Sequence, residues 1–428
     1  MLITSHRYHS HHSAQYGEGI VGPIVIDGPT TAEYDVDLGP LPLTDWFYDS
    51  TWALNYRAVH TGIPPPQQNI LINGTMKGID ATGKQTGNYN KITVEKGKTY
   101  KLRLINTAVD HFFHVSMDGH PFTVVAADLV PIVPKKDVTD LKMSIGQRYD
   151  IIFKADQDVA NYWLRVTPGC GESGKSGKAD IYSKSITVGG IIQYKGAPDA
   201  EPKSQGYSMA PTCEDEVFEP YWKEDVPRDQ FVDHIQSMNL TFGPHKTSMN
   251  DNVMTWFING STMDVDWAKP TLQYVLDGNT NNFPANLNLF EVNGKDAWTY
   301  WVIQNVGAVA LPHPIHLHGH DFWVLGSGPG AFDMTTNGLN FNNPVRRDVA
   351  TLPENGHLVL AFPADNPGAW VMHCHIAWHA SQGLSVQFLE RKDEIVKSVG
   401  NFDSMKEGCR EWNNYWKNPA FPDEDSGI

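Results

Sequence analysis

Short runs of apolar residues separated by turn residues recur along nearly the whole chain. Residues 69–73, 100–105, 112–117, 122–126, 148–154 and 161–166 each have the length of a strand and alternate with Gly-, Pro-, Asn- and Asp-containing stretches, a pattern of β-structure rather than of helix. A second series, at 236–242, 254–258, 287–292 and 299–305, follows a polar, Pro-rich connection at 196–226. The spacing predicts an all-β protein built of sandwiches or barrels. No segment predicts a long amphipathic helix. Near the start, the end of one strand, a Gly-containing loop and the apolar run Ile20–Ile26 predict a pair of strands closing at Asp27-Gly28-Pro29, too few to stand alone. The chain is thereby divided into 1–28, 29–225 and 226–428.

Composition supports this division. At 428 residues the chain holds two or three domains, and 37 Gly and 28 Pro with 19% charged residues favour a loop-rich β protein. A formal charge of −16 argues against nucleic acid and anionic membrane surfaces as partners. No apolar run approaches the roughly 20 residues of a membrane helix, so a soluble protein is expected. Of four cysteines, Cys374 lies in a histidine-rich motif, and an odd remainder leaves one without a partner. Cys170 and Cys213 lie in polar loops and can bridge in an oxidising compartment, with Cys409 then left over. Sequons at Asn73, Asn239 and Asn259 suit a secreted glycoprotein, and two of them are also Asn-Gly turns. The first residues, Met1-Leu2-Ile3-Thr4-Ser5-His6, carry neither the charged nor the apolar region of a signal peptide.

The chemistry is concentrated in His373–Leu384, which reads His-Cys-His-Ile-Ala-Trp-His-Ala-Ser-Gln-Gly-Leu. After Trp370-Val371-Met372 this predicts a buried strand ending in a loop near His379. Alternation along a strand places His373 and His375 on one face and Cys374 on the other. A thiolate with imidazoles and a weak axial neighbour suits a trigonal copper that transfers single electrons, and paired imidazoles suit a second, all-nitrogen site. A second cluster, His313-Pro-Ile-His316-Leu-His318-Gly-His320-Asp321-Phe322, puts His316 and His318 on one strand face, with His313 aimed elsewhere. Tetrahedral zinc, with three or four ligands, does not account for so many paired imidazoles.

The strings HSH at 9–11, HPIHLHGH at 313–320 and HCHIAWH at 373–379 resemble three of the four copper-ligand motifs of the multicopper oxidases. YHSHHSAQYG, VRRDV, NPGAWVMHCHIAWH and the terminal DSGI look most like ascomycete laccases, and the resemblance extends over essentially the whole chain. It implies cupredoxin-like Greek-key domains, two complete and the remnant of a first. It assigns a type 1 copper to Cys374, His313 and His379, with Leu384 at the axial position and unable to coordinate, which raises the reduction potential. It assigns a type 3 copper pair to His9, His11, His318, His373 and His375, and a type 2 copper to His316. Cys374 then carries electrons from donor to cluster, His379 offers its imidazole edge to the donor, and Trp378 forms a pocket wall.

The implied activity is one-electron oxidation of phenolic or aromatic-amine donors, coupled to reduction of dioxygen to water, by a secreted monomer. The family's first motif, HWHG, has no counterpart in the eight residues before His9, and the usual partner of Cys409 would lie in the same segment. An N-terminally truncated sequence is therefore expected, short of one type 2 and one type 3 ligand. A second function class follows: a copper-binding, electron-transfer fragment that keeps the type 1 site alone. A metal or ascorbate oxidase would differ only in its donor. His12, where relatives carry Phe, is expected beside the cluster, and Asp321 is expected to orient a histidine.

Overall fold

In the computed structural model the described residues are 5–65, 69–79, 82–170, 189–208, 212–246, 252–279, 281–307, 309–420 and 425–428. The expected strands form, and they assemble twice into the same arrangement. The first half contributes β3 (Val36–Trp46), β4 (Asn69–Ile72), β5 (Lys77–Ile79), β6 (Gln85–Gly87), β7 (Asn90–Val94), β8 (Thr99–Asn106), β9 (Phe113–Met117), β10 (Phe122–Ala127), β11 (Val130–Val138), β12 (Leu141–Met143), β13 (Arg148–Lys154), β14 (Asn161–Pro168) and β15 (Gly189–Tyr194). Eleven of them form a six-stranded sheet, β11-β10-β13-β8-β3-β4, and a five-stranded sheet, β12-β9-β14-β15-β7, while β5 pairs with β6 alone. The second half contributes β16 (Ile235–Lys246), β17 (Asn252–Ile258), β18 (Leu289–Val292), β19 (Trp298–Gln304), β20 (His313–Leu317), β21 (Phe322–Pro329), β22 (Val345–Arg347), β23 (Val349–Leu352), β24 (Gly356–Pro363), β25 (Gly368–Cys374) and β26 (Ser385–Glu390). These again give six strands, β17-β16-β19-β24-β21-β22, and five, β18-β26-β25-β20-β23. Each half contains parallel pairs, β3 with β8 and β16 with β19, so strands consecutive in the chain are not all neighbours. One apolar core includes Leu104, Phe113 and Ile151 of the first half and Trp301, Ile315 and Phe388 of the second.

Residues 5–28 supply a separate hairpin of β1 (Ser5–His9) and β2 (Val21–Val25), with β1 lying on β8 and β13. The turns at Asn73-Gly74 and Asn259-Gly260 have positive φ at both positions. This is the geometry for which Asn-Gly is selected in tight hairpins, so turn geometry alone accounts for both Asn-Gly dipeptides.

Six α-helices among the described residues depart from the sequence reading. Thr51–Thr61 is an 11-residue helix, α1, opened by the Ser50 side chain accepting from Ala53 N–H and closed by Gly62 at φ 70°. It buries Leu54, Ala58 and Val59 and packs on β17 and on a helix that carries His379. Its apolar residues are not confined to one face, with Trp52 and Tyr56 exposed, so it holds its place through tertiary packing, which a periodicity scan does not detect. After the short α2 (Phe231–His234) and α3 (Thr271–Leu276), the region near His379 is not a loop but helix α4 (Ala377–Ser381), buried throughout. Then follow α5 (Lys392–Val399) and α6 (Asp403–Tyr415), whose 13 residues leave none buried.

The halves are joined by buried charge. Asp128, in the turn between β10 and β11, accepts from Arg347 Nε at 3.0 Å and from the backbone N–H of Val349 at 3.2 Å. Arg148 grips Asp348 with two bonds of 2.5 and 2.7 Å. Lys142 donates to Asp215 at 2.7 Å, and Asp215 accepts Thr351 N–H at 2.6 Å. Burial opposes ionisation of Asp215, but Lys142 and Arg347 outweigh it and hold this carboxyl far below the usual range. Cys170 and Cys213 are disulfide-bonded, whereas Cys374 and Cys409 are free thiols.

Candidate metal centres

The ladder between β20 and β25 places the two clusters. Ile315 lies opposite Cys374, and His316 opposite His373. Residues directly opposite point to the same face, so His313 and Ile315 share the face of Cys374, while His316 shares that of His373. On the first face, Cys374 Sγ is 3.6 Å from His313 Nδ1 and 3.5 Å from His379 Nδ1, and the two nitrogens are 3.1 Å apart. His379 reaches the site because α4 follows β25 after a two-residue turn.

Three donors bound to one trigonal copper at about 2.0–2.3 Å would lie about 3.5–4 Å from one another, so this constellation fits such an ion after a small expansion between the imidazoles. All three side chains are buried. The ring of Trp256 covers them, 4.7 Å from His313 and 5.2 Å from His379 between centroids. Leu384 is 2% exposed and is tied by its carbonyl to Cys374 N–H at 3.0 Å. Its side chain offers carbon and no lone pair.

On the opposite face, His373 Nε2 lies 3.2 Å from His11 Nε2 and 3.3 Å from His318 Nε2. The His316 ring is 4.9 Å from His318 and 5.7 Å from His375, and the His9 ring is 5.5 Å from both His11 and His375. Backbone carbonyls fix several tautomers. His9 Nδ1 donates to Ser10 O at 2.8 Å, His316 Nδ1 to Asp348 O at 2.8 Å and His373 Nδ1 to Cys374 O at 2.9 Å. Each leaves Nε2 free for a metal. His9, His11, His316 and His318 line one wall of a cavity of about 850 Å³.

Burial dominates the electrostatics. It pushes the Cys374 thiol well up and His313, His316, His373 and His375 well down. His379 falls to about 3 by burial alone, and His318 to about 3 by burial with His11 beside it. Stability of the metal-free protein should therefore depend on pH. Below about 6.5 the unfolded chain binds protons at these imidazoles and the folded chain does not, so the stability they contribute is present above that pH. It is lost as pH falls towards the folded values, by up to about 1.4 kcal/mol per pH unit for each group. The urea midpoint of chelator-treated protein should be lower at pH 5 than at pH 7.5, and equal midpoints would contradict this assignment.

Some expectations need correction. Trp378 is 1% exposed, with its ring edge-on to Phe47. It is an interior packing residue, because α4 turns it inward where a loop would have left it at the surface. His12, next in the chain to His11, turns its ring among Trp52, Trp267 and Trp412. Asp321 accepts from Arg346 at 2.6 Å rather than orienting a histidine. The carbonyl of Asp348 performs that role for His316, and a backbone acceptor leaves no mark in composition.

The residue that sequence reading missed is Arg7. It is 6% exposed, donates to Asn106 O at 2.5 Å and contacts Nε2 of His375. The detectable signal was alternation along β1, which puts Arg7 on the face of His9. Burial lowers even this guanidinium to about 10.

Two successive segments, residues 37–197 and 247–394, match family models described as multicopper oxidase. Laccase-3 of Botryotinia fuckeliana is 46% identical over 395 residues, covering 89% of this chain and 84% of its own. A laccase of Neurospora crassa is 44% identical, over 98% of this chain and 68% of its own. The crystal structure of the laccase from Botrytis aclada superimposes with a TM-score of 0.89 at 36% identity, covering 100% of this chain and 77% of that one.

Proposed function

Since this chain belongs to the multicopper oxidase family, we propose that it is a laccase-like copper oxidoreductase that oxidises phenolic or aromatic-amine donors one electron at a time and reduces dioxygen to water. The observation that carries the reading is the pair of donor sets set back to back on one strand: Cys374, with His313 and His379 beside its sulfur, stands between His373 and His375. Copper at the first set would supply one-electron exchange with the donor, and copper at the second would supply the electrons that dioxygen takes up.

The chain's own residues prepare both places. Cys374 provides the thiolate, and its backbone is one bonded path to either neighbouring histidine. Trp256 and Leu384 keep water from the sulfur. The Nδ1 bonds of His9, His316 and His373 aim their free nitrogens at a common space. In this reading Cys374, His313 and His379 hold the type 1 ion, His316 the type 2 ion, and His9, His11, His318, His373 and His375 the type 3 pair. His379, 7% exposed, is the point of electron entry. Residues 29–225 and 226–428 act as two domains, with 1–28 as part of a first.

The finer readings are extracellular location and action as a monomer, without nucleic-acid or membrane partners. They are supported by the Cys170–Cys213 disulfide, the exposed Asn73, Asn239 and Asn259, and the net charge of −16. Among the described residues no helix is long and apolar enough to cross a membrane. The test is oxygen uptake by copper-loaded protein given a phenol, with one dioxygen consumed for about four electrons removed. Absence of uptake sinks the reading.

A second reading, a chain that exchanges electrons at the first site without reducing dioxygen, is favoured by one observation: Arg7 occupies Nε2 of His375. A buried cation there opposes a copper at the same nitrogen. Arg7→Leu should therefore raise the copper content by about one ion per chain and strengthen the near-ultraviolet band of a coupled pair. Unchanged metal content would remove Arg7 from this role.

A further inference from the structure

A cavity of about 240 Å³ lies between α6, the C-terminal residues and the segment that follows β17, and no residue of either histidine cluster lines it. Trp267, Trp412 and Trp416 supply its aromatic wall. The rings of Trp412 and Trp416 stack 5.5 Å apart at 15°, and Trp267 is 6.1 Å from Trp412. The lining also includes Asp264, Asp266 and Asp425. Among the described residues none of the three forms an ion pair with Lys or Arg, and the one basic side chain in the lining is His245.

Asp425 is fixed, accepting from Ser13, from Asn55 at 2.7 Å and from Gly427 N–H at 2.8 Å. Partial burial and the nearby Asp425 and Asp266 push the Asp264 carboxyl up, against the opposing pull of His245. Thr262, which also lines the cavity, has a buried hydroxyl with no hydrogen-bond partner among the described residues.

We propose that this cavity binds a small organic cation: a protonated amine with an apolar or aromatic body. Each part of the lining recognises one part of such a molecule. The faces of indole rings attract a cation through their quadrupole, and do so more strongly where water is excluded. The carboxylates neutralise the ammonium group. Three carboxylates repel an anion. Three indole rings leave a bare divalent ion short of the oxygen ligands it requires. Drug-sized ligands fill about 300–1,000 Å³, so a cavity of about 240 Å³ selects a one-ring amine. A bound amine would bridge α6 to the C-terminal residues, whose last member, Ile428, lines the small cavity beside His11 and His373.

The experiment is calorimetric titration of the full chain with benzylammonium, using benzyl alcohol and benzoate as its neutral and anionic counterparts. Benzylammonium should bind at least about tenfold more tightly than benzyl alcohol, with no detectable heat from benzoate. Asp264→Asn and Trp412→Leu should each weaken benzylammonium by about tenfold without altering the far-ultraviolet circular dichroism. Equal affinity for the alcohol, or full affinity in both variants, would overturn the proposal. Neither residue touches the histidine clusters, so a failure here leaves oxygen uptake with a phenol as it was.

Discussion

Replacing Cys374 with serine should abolish the visible blue absorption of the copper-loaded protein and reduce phenol turnover by at least about a thousandfold, a barrier increase of about 4 kcal/mol. The sulfur is fully buried, and its nearest polar neighbours are the two imidazole nitrogens at 3.5 and 3.6 Å. A serine hydroxyl is a hard, poorly ionised donor on a shorter bond, and it cannot reproduce the soft covalency that lets a trigonal copper change valence with little rearrangement. The second cluster should remain, because His373 and His375 project from the other face of β25. Metal analysis should therefore show the loss of about one copper while the signals of the imidazole cluster persist. A serine variant that kept both colour and turnover would move the electron-entry site elsewhere.

The largest effect on stability should come from Asp128→Ala. Its fully buried carboxylate faces two guanidiniums, Arg347 and Arg148, each 1% exposed, and also accepts the N–H groups of Asp348 and Val349. Removing it leaves buried positive charge uncompensated, which costs about 3–5 kcal/mol. The urea midpoint should drop accordingly. A second readout separates this from generic destabilisation. The Asp348 carbonyl orients His316 at 2.8 Å, so the variant should also bind copper at the imidazole cluster less tightly at a pH and urea concentration where it is fully folded. A midpoint shift below about 1 kcal/mol would show that water replaces the carboxylate.

Much of the site was legible because its chemistry is local. His373, Cys374 and His375 are consecutive, His316 and His318 are two apart, and period-two alternation alone assigns their faces. The strands were legible for the same reason. What stayed hidden was whatever depends on distant partners. Helix α1 exists because Leu54, Ala58 and Val59 meet β17 and α4, contacts that its own composition does not announce. Helix α4 turns Trp378 inward, which a loop would not have done. Arg7 went unremarked, because its burial arises only where β1 is laid on β8 and β13. Cys170 and Cys213 were identifiable as candidates by elimination, but only the fold brings residues 43 apart in sequence into one bond.

The pairing of Ile315 with Cys374 and of His316 with His373 also bears on how this chain tolerates change in length. A deletion or insertion of one residue within 313–317 or 371–375 would turn the ligands on one side of the change to the opposite face relative to those on the other. A change of two residues would keep the faces but displace the ligands by about 7 Å along the strand. A length change in these segments thus separates ligands of the two centres that the present register holds together. The two are inherited as one unit, and variation between relatives in these ten positions should consist of substitutions, with gaps confined to the connections outside them.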